Sequence, residues 1–173
     1  MGRRGFTLVE LLVVLAVGSI LLAIAIPGYA FLVNASRLAA VTNDLVAVLH
    51  LARSEAIKQG TRVTVCKTSN LIAAQASCDS TANWHEGWLV FTDGGTRGVI
   101  DSGDTLLRVQ ERSSAGTSIT SSSPYHYLSY RPSGVSQGSN GLANGTISIC
   151  LEGSRRDIVI SSTGRIRLNS GAC

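Results

Sequence analysis

Phe6-Thr7-Leu8-Val9-Glu10-Leu11-Leu12-Val13-Val14-Leu15-Ala16-Val17-Gly18-Ser19-Ile20-Leu21-Leu22-Ala23-Ile24-Ala25-Ile26 is a run of 21 residues whose one charge is Glu10. As a helix it extends roughly 31 Å, about the thickness of a hydrocarbon core, so it can span a bilayer. Arg3 and Arg4 stand just ahead of it. Basic flanks stay in the cytoplasm, which sends the chain beyond Pro27 to the opposite side, where disulfides persist. A cleaved secretory signal would end in small residues, whereas here bulky Ile26 precedes Pro27 and helix-like sequence continues. Glu10 is the anomaly, because an unpaired carboxylate is costly in lipid and calls for a partner.

The rest of the chain is of a different character. With 173 residues and 18.1 kDa, it has room for one globular core and an appendage. Charged residues make up 15% and apolar residues 45%, which excludes a disordered charged tail. A net charge of +4 is too small for a nucleic-acid binder relying on total charge, so any such role must rest on local clustering. Four Cys without a CxxC pair, and His only at positions 50, 85 and 126, do not give the ligand spacing of a zinc site.

Past Pro27 and Gly28, apolar residues recur at Leu38, Val41, Leu45, Val48, Leu49, Ala52 and Ala56, the spacing of one helical face. Gly60 after Gln59 is a plausible stop. The expected organisation is a membrane helix over 6–29, its amphipathic continuation over 30–59 and a β-rich head over 60–173. Strands are expected at Arg62–Lys67, Gly87–Thr92, Thr105–Gln110, His126–Tyr130, Thr146–Leu151, Asp157–Ser161 and Arg165–Leu168. The Ser/Gly-rich stretches Ser113–Ser123 and Ser133–Gly145 read as loops. A helix followed by strands is α+β, with the helix packed on an antiparallel sheet.

Gly5-Phe6-Thr7-Leu8-Val9-Glu10 behind its basic leader resembles the class III signal of type IV pilins and pseudopilins. The resemblance implies a leader over 1–5, cleavage after Gly5 by a prepilin peptidase and methylation of the new amine on Phe6. It also implies that Glu10 pairs with an N-terminal amine in the assembled filament. Leu51-Ala52-Arg53-Ser54-Glu55-Ala56-Ile57-Lys58, Arg62-Val63-Thr64-Val65-Cys66 and Gly87-Trp88-Leu89-Val90-Phe91 are similar to the GspH/FimT branch of that superfamily. That branch implies a type IV pilin fold and other major and minor pilins as partners. It also implies an inner-membrane stage with the head in the periplasm, then a filament at the cell surface.

Four Cys allow three pairings, which sequence does not resolve. The sequential one is the expectation: Cys66 with Cys78 closing a polar loop, and Cys150 with Cys173 pinning the tail. Asp93, Asp101 and Asp104 lie among glycines but match no EF-hand, so they read as turn residues and no metal is expected. Trp88 alternates with Val90 as a strand core residue does. No nucleophile and base stand together, so neither an enzyme nor a cofactor is expected.

From Arg131 onward five Arg face only Glu152 and Asp157, a local +3, more than the +2 left to the whole chain without Arg3 and Arg4. In a strand from Arg165, the side chains of Arg165 and Arg167 share one face while Ile166 and Leu168 turn inward. The Ser162-Thr163-Gly164 connection makes a hairpin expected to merge this pair with Arg155 and Arg156, which precede the previous strand. Taken alone, such arginines are a solvated edge that discourages aggregation. Gly164-Arg165-Ile166-Arg167, however, resembles the C-terminal GRxR motif of the FimT subgroup, minor pilins that bind DNA during natural transformation. The resemblance implies DNA as a partner, held through its backbone by Gly164, Arg165 and Arg167. The alternative is a purely structural priming or tip subunit of a pilus or a secretion pseudopilus.

Overall fold

A computed structural model describes residues 7–72, 76–122 and 125–173. Residues 1–5, with the cleavage position Gly5, and Phe6 lie outside the described residues. The chain forms two compact units, Met1–Ser36 and Arg37–Cys173.

Helix α1 runs Leu8–Gln59, with Pro27 inside it. Thr7 caps its start: the Glu10 N–H donates to Thr7 Oγ1 at 3.2 Å, and the Leu11 N–H donates to the Thr7 carbonyl. In the first unit the apolar side chains from Leu8 to Leu32 are largely exposed, and the helix is long and apolar enough to cross a membrane. A helix apolar all round with no protein packed on it suits lipid.

In the second unit Leu38, Leu45, Val48, Leu49, Ala52 and Ala56 of α1 are buried, following the three-and-four spacing. They share one core with two antiparallel sheets. Strands β1 (Val63–Lys67), β2 (Trp88–Thr92), β3 (Leu106–Gln110), β5 (Tyr127–Tyr130) and β6 (Ser136–Gly138) form the first, ordered β3-β2-β1-β5-β6. Strands β4 (Ser118–Ser121), β7 (Gly145–Leu151), β8 (Ser154–Ile160) and β9 (Ile166–Ala172) form the second, ordered β4-β7-β8-β9. The first sheet sends Val65, Trp88 and Leu128 into this core and Leu89 and Phe91 into a second cluster on its other face. Buried on both faces, β2 is a continuous apolar run rather than an alternating one. Ile147, Ile149, Ile158 and Ile160 supply the inner face of the second sheet.

Several strands depart from expectation. Strands β4 and β6 arise in segments expected as loops: Ile119 is the one buried residue of β4, and β6 has only three residues, so neither carries a legible period. Strand β8 begins at Ser154, so Arg155 and Arg156 lie inside it, because main-chain pairing to β7 and β9 extends beyond its apolar half. Strand β9 continues to Ala172, and Leu168 is 50% exposed instead of buried, since it pairs at the outer edge with Ile158.

Both disulfides join sequential cysteines: Cys66 to Cys78 with 5.6 Å between Cα atoms, and Cys150 to Cys173 with 6.0 Å. Asp93 is buried and accepts hydrogen bonds from Arg62, Thr64 and the Gly98 N–H. Asp101 and Asp104 likewise accept main-chain N–H groups, so these carboxylates order the loop between β2 and β3. Trp88 is in the core, and the Trp84 indole donates to the Tyr125 carbonyl.

Candidate nucleic-acid interface

Two hairpin turns of the same construction position the exposed Arg131, Arg165 and Arg167. Between β5 and β6, the Gly134 N–H donates to the Arg131 carbonyl and the Arg131 N–H to the Val135 carbonyl. Between β8 and β9, the Gly164 N–H donates to the Ser161 carbonyl and the Ser161 N–H to the Arg165 carbonyl. Each loop is three residues ending in a glycine in the left-handed region, φ 77° at Gly134 and 76° at Gly164. This is the three-residue hairpin geometry in which glycine supplies the positive φ.

The turns are packed against each other. A Cβ placed on Gly164 would lie 2.3 Å from the Gly134 carbonyl oxygen and 3.1 Å from the Tyr130 ring. Arg53 of α1 binds both: its Nε donates to the Gly134 carbonyl at 3.1 Å, and its Nη2 to the Thr163 carbonyl at 3.0 Å. Below them Tyr130 is fully buried, and burial pushes its phenol well above the ordinary range. Gly164 is itself buried, so it shapes the turn and presents no group to a ligand.

Arg165 and Arg167 follow directly, and both are exposed. Among the described residues neither is in an ion pair. Their alternation in an extended strand sets their Cα atoms about 7 Å apart on one face, close to the spacing of successive phosphates. Arg131, on the neighbouring turn, is also exposed, its guanidinium donating to Gln137 Oε1 at 2.9 Å. It stands outside the GRxR motif, and only the packing of the two turns brings it to this region.

The hairpin does not merge Arg155 and Arg156 with the fork. Arg167 pairs with Val159, whereas Arg155 pairs with Gly171, four positions further along, or roughly 13 Å. Arg155 shares the face of Arg165 and Arg167, but its Nε lies 3.2 Å from Asp157 Oδ1. Arg156 is on the other face, with Ile158 and Ile160, and donates to Ser170 Oγ. What remains is two guanidinium groups without a carboxylate partner among the described residues, with Arg131 near, on turns braced from beneath.

No residue of this fork lines the groove of about 260 Å³ bounded by Arg37, Asp44, Trp88 and Arg112. Among the described residues no group of three His, Cys, Asp or Glu side chains is placed to hold a metal ion.

The family described as Type II transport protein GspH matches residues 41–164, and the prokaryotic N-terminal methylation motif matches residues 1–26. The type IV minor pilin FimU of Pseudomonas aeruginosa strain PAO1 is similar in structure, with a TM-score of 0.59. It is 25% identical over 80% of this chain and 93% of that one. The minor pseudopilin EpsH of the Type 2 Secretion System of Vibrio cholerae is similar with a TM-score of 0.53. It is 16% identical over 78% of this chain and 97% of that one. No curated protein sequence matches the chain.

Proposed function

The chain belongs to the GspH family and has the type IV pilin fold, and from that premise we propose that it is a minor type IV pilin that binds DNA for uptake in natural transformation. The observation that carries the proposal is the exposed Arg165–Arg167 pair, without a carboxylate partner among the described residues, on a turn held by Arg53 and a strand tethered by Cys150–Cys173. A guanidinium offers a planar fork of donors that matches two phosphate oxygens at once. Bracing the turn beforehand lowers the ordering cost of binding. No aromatic residue follows Tyr130, so stacking on bases has no platform here and sequence-independent contact with the duplex backbone fits better.

Two or three phosphate contacts make binding weak and salt-sensitive. A gel-shift titration of the full chain in detergent should give a slope of log K against log salt of roughly −2 to −3. Binding that is absent at low salt, or insensitive to salt, overturns the proposal in favour of a purely structural subunit.

In assembly, prepilin peptidase would cut after Gly5 and methylate Phe6, the helix would rest in the inner membrane with its head in the periplasm, and Glu10 would pair with the amine of a neighbouring pilin. Thr7 and Glu10 also have the spacing of a capping box, which needs no charge. The two roles separate by substitution. Glu10→Gln should lower incorporation into sheared filaments as much as Glu10→Ala, at least about tenfold, because only an ionised carboxylate offsets the amine in lipid. Wild-type incorporation of the Gln variant would leave capping as the role of Glu10.

A further inference from the structure

Strand β9 is the outer strand of its sheet, and its main chain divides cleanly into two sets. The Ser161 N–H donates to the Arg165 carbonyl and the Cys173 N–H to the Gly153 carbonyl, with an unbroken register between them. The ladder alternates, so Arg165, Arg167, Asn169 and Gly171 spend their main-chain groups on β8. Those of Ile166, Leu168, Ser170 and Ala172 point to the open edge. This edge is seven residues long and contains no proline or bulge. The disulfide and the hairpin turn hold it at its two ends. Natural sheets usually protect such an edge.

The side chains indicate what covers it. Ile166-Arg167-Leu168 is the bulky half of the strand and Ser170-Gly171-Ala172 the small half, with Asn169 between. Antiparallel pairing of the strand with itself about Asn169 sets every bulky residue across from a small one. Ile166 meets Ala172, Arg167 meets Gly171, and Leu168 meets Ser170. Arg167 then has no side chain directly opposite, the guanidinium that lies over Gly171 being that of Arg155, beside Asp157, and Arg165 lies across from Cys173. Two Asn169 amides, each with a donor and an acceptor, face each other on the two-fold axis.

We propose that the open edge of β9 is a self-recognition site, at which a second copy of this chain pairs antiparallel about Asn169 to form one continuous sheet. The contact is isologous, so it closes as a dimer. Both forks fall on the same face of the joined sheet, with the two Arg167 positions about 14 Å apart along the strands. Two weak phosphate sites on one rigid surface bind as a bivalent unit. The pairing does not depend on the DNA proposal and is read without nucleic acid.

Cross-linking the full chain in its membrane tests it. Across the axis the Asn169 Cα atoms form a non-hydrogen-bonded pair about 4.5 Å apart, which a disulfide spans. Under mild oxidation Asn169→Cys should give a dimer on a non-reducing gel, with the link mapped by mass to position 169 in both copies, while Thr163→Cys in the turn should not. Adding Leu168→Pro removes an N–H aimed at the open edge and none used by β8; it should cut the dimer at least tenfold. Leu168→Val should leave the dimer intact, and an intact Cys150–Cys173 link reports folding in each variant. No dimer from Asn169→Cys, an equal yield from Thr163→Cys, or a yield undiminished by Leu168→Pro in the folded protein would overturn the proposal.

Discussion

Replacing Arg165 and Arg167 together by Gln removes the DNA shift and leaves the head folded. The two side chains are exposed and make no ion pair among the described residues, so their removal deletes no contact on which the fold depends. Surface changes of this kind move stability by about 0.5 kcal/mol or less. Binding suffers far more. Each guanidinium replaces condensed counterions at a phosphate, and losing two of two or three contacts should lower affinity at least tenfold at low salt and flatten the salt slope by about two. Arg156→Gln is the matched comparison, because that side chain faces the other side of β8 and is engaged with Ser170. It should bind nearly as the parent does. Equal affinity for the parent and the double variant, measured at about 50 mM salt, would remove the fork from the mechanism.

Gly164→Ala is the second large effect, and it acts through the fold. The new Cβ would have to occupy a position 2.3 Å from the Gly134 carbonyl oxygen, a main-chain atom with no freedom to swing aside, at φ 76°. Left-handed strain and overpacking together cost roughly 2–4 kcal/mol. The displaced turn also loses the Thr163 carbonyl as an acceptor for Arg53, so Arg165 is no longer held. Thermal unfolding should shift down by roughly 5–15 °C in a chain of this size. DNA affinity should fall even below the unfolding range. By contrast, Gly153→Ala, also at positive φ but with nothing within 4 Å of its Cβ, should show the conformational strain alone. Equal losses in the two variants would mean that the close approach of the turns contributes nothing.

These two results separate what the GRxR pattern does. The glycine is buried and makes the turn possible; the arginines are outside, where the proposed contact with phosphate would be made. A linear motif lists them side by side as if they served one purpose. The structure divides them because a left-handed residue at the end of a three-residue loop must lack a side chain wherever another main chain comes within about 3 Å.

The apolar run and the spacing of Leu38, Leu45, Val48 and Ala56 specify the helix by themselves, since continuity and period are local properties of the chain. Strands β1 and β2 are legible for the same reason, being apolar and bounded by turn residues. Strand β4, with three hydroxyl residues around Ile119, is not, because its partner β7 comes nearly thirty residues later and supplies the hydrogen bonds that hold it. The face taken by Arg156 is hidden from the sequence as well, because strand parity depends on where pairing starts, and pairing of β8 starts at Ser154.

Local sequence thus prescribes a lipid-soluble helix, its amphipathic extension and two alternating arginines after a glycine turn, because hydropathy, period and turn chemistry need only near neighbours. Tertiary structure alone chose the bracing of that turn. Arg53 stands 81 residues before Gly134 and 110 before Thr163, and no local pattern announces that one guanidinium will bind both carbonyls. It likewise chose which arginines stay free: Ser170 reaches Arg156 across the register of the hairpin and Asp157 lies beside Arg155 two residues along the paired strand, while Arg165 and Arg167 face solvent. Charge composition counts cations, whereas pairing across strands determines which of them remain available to a phosphate.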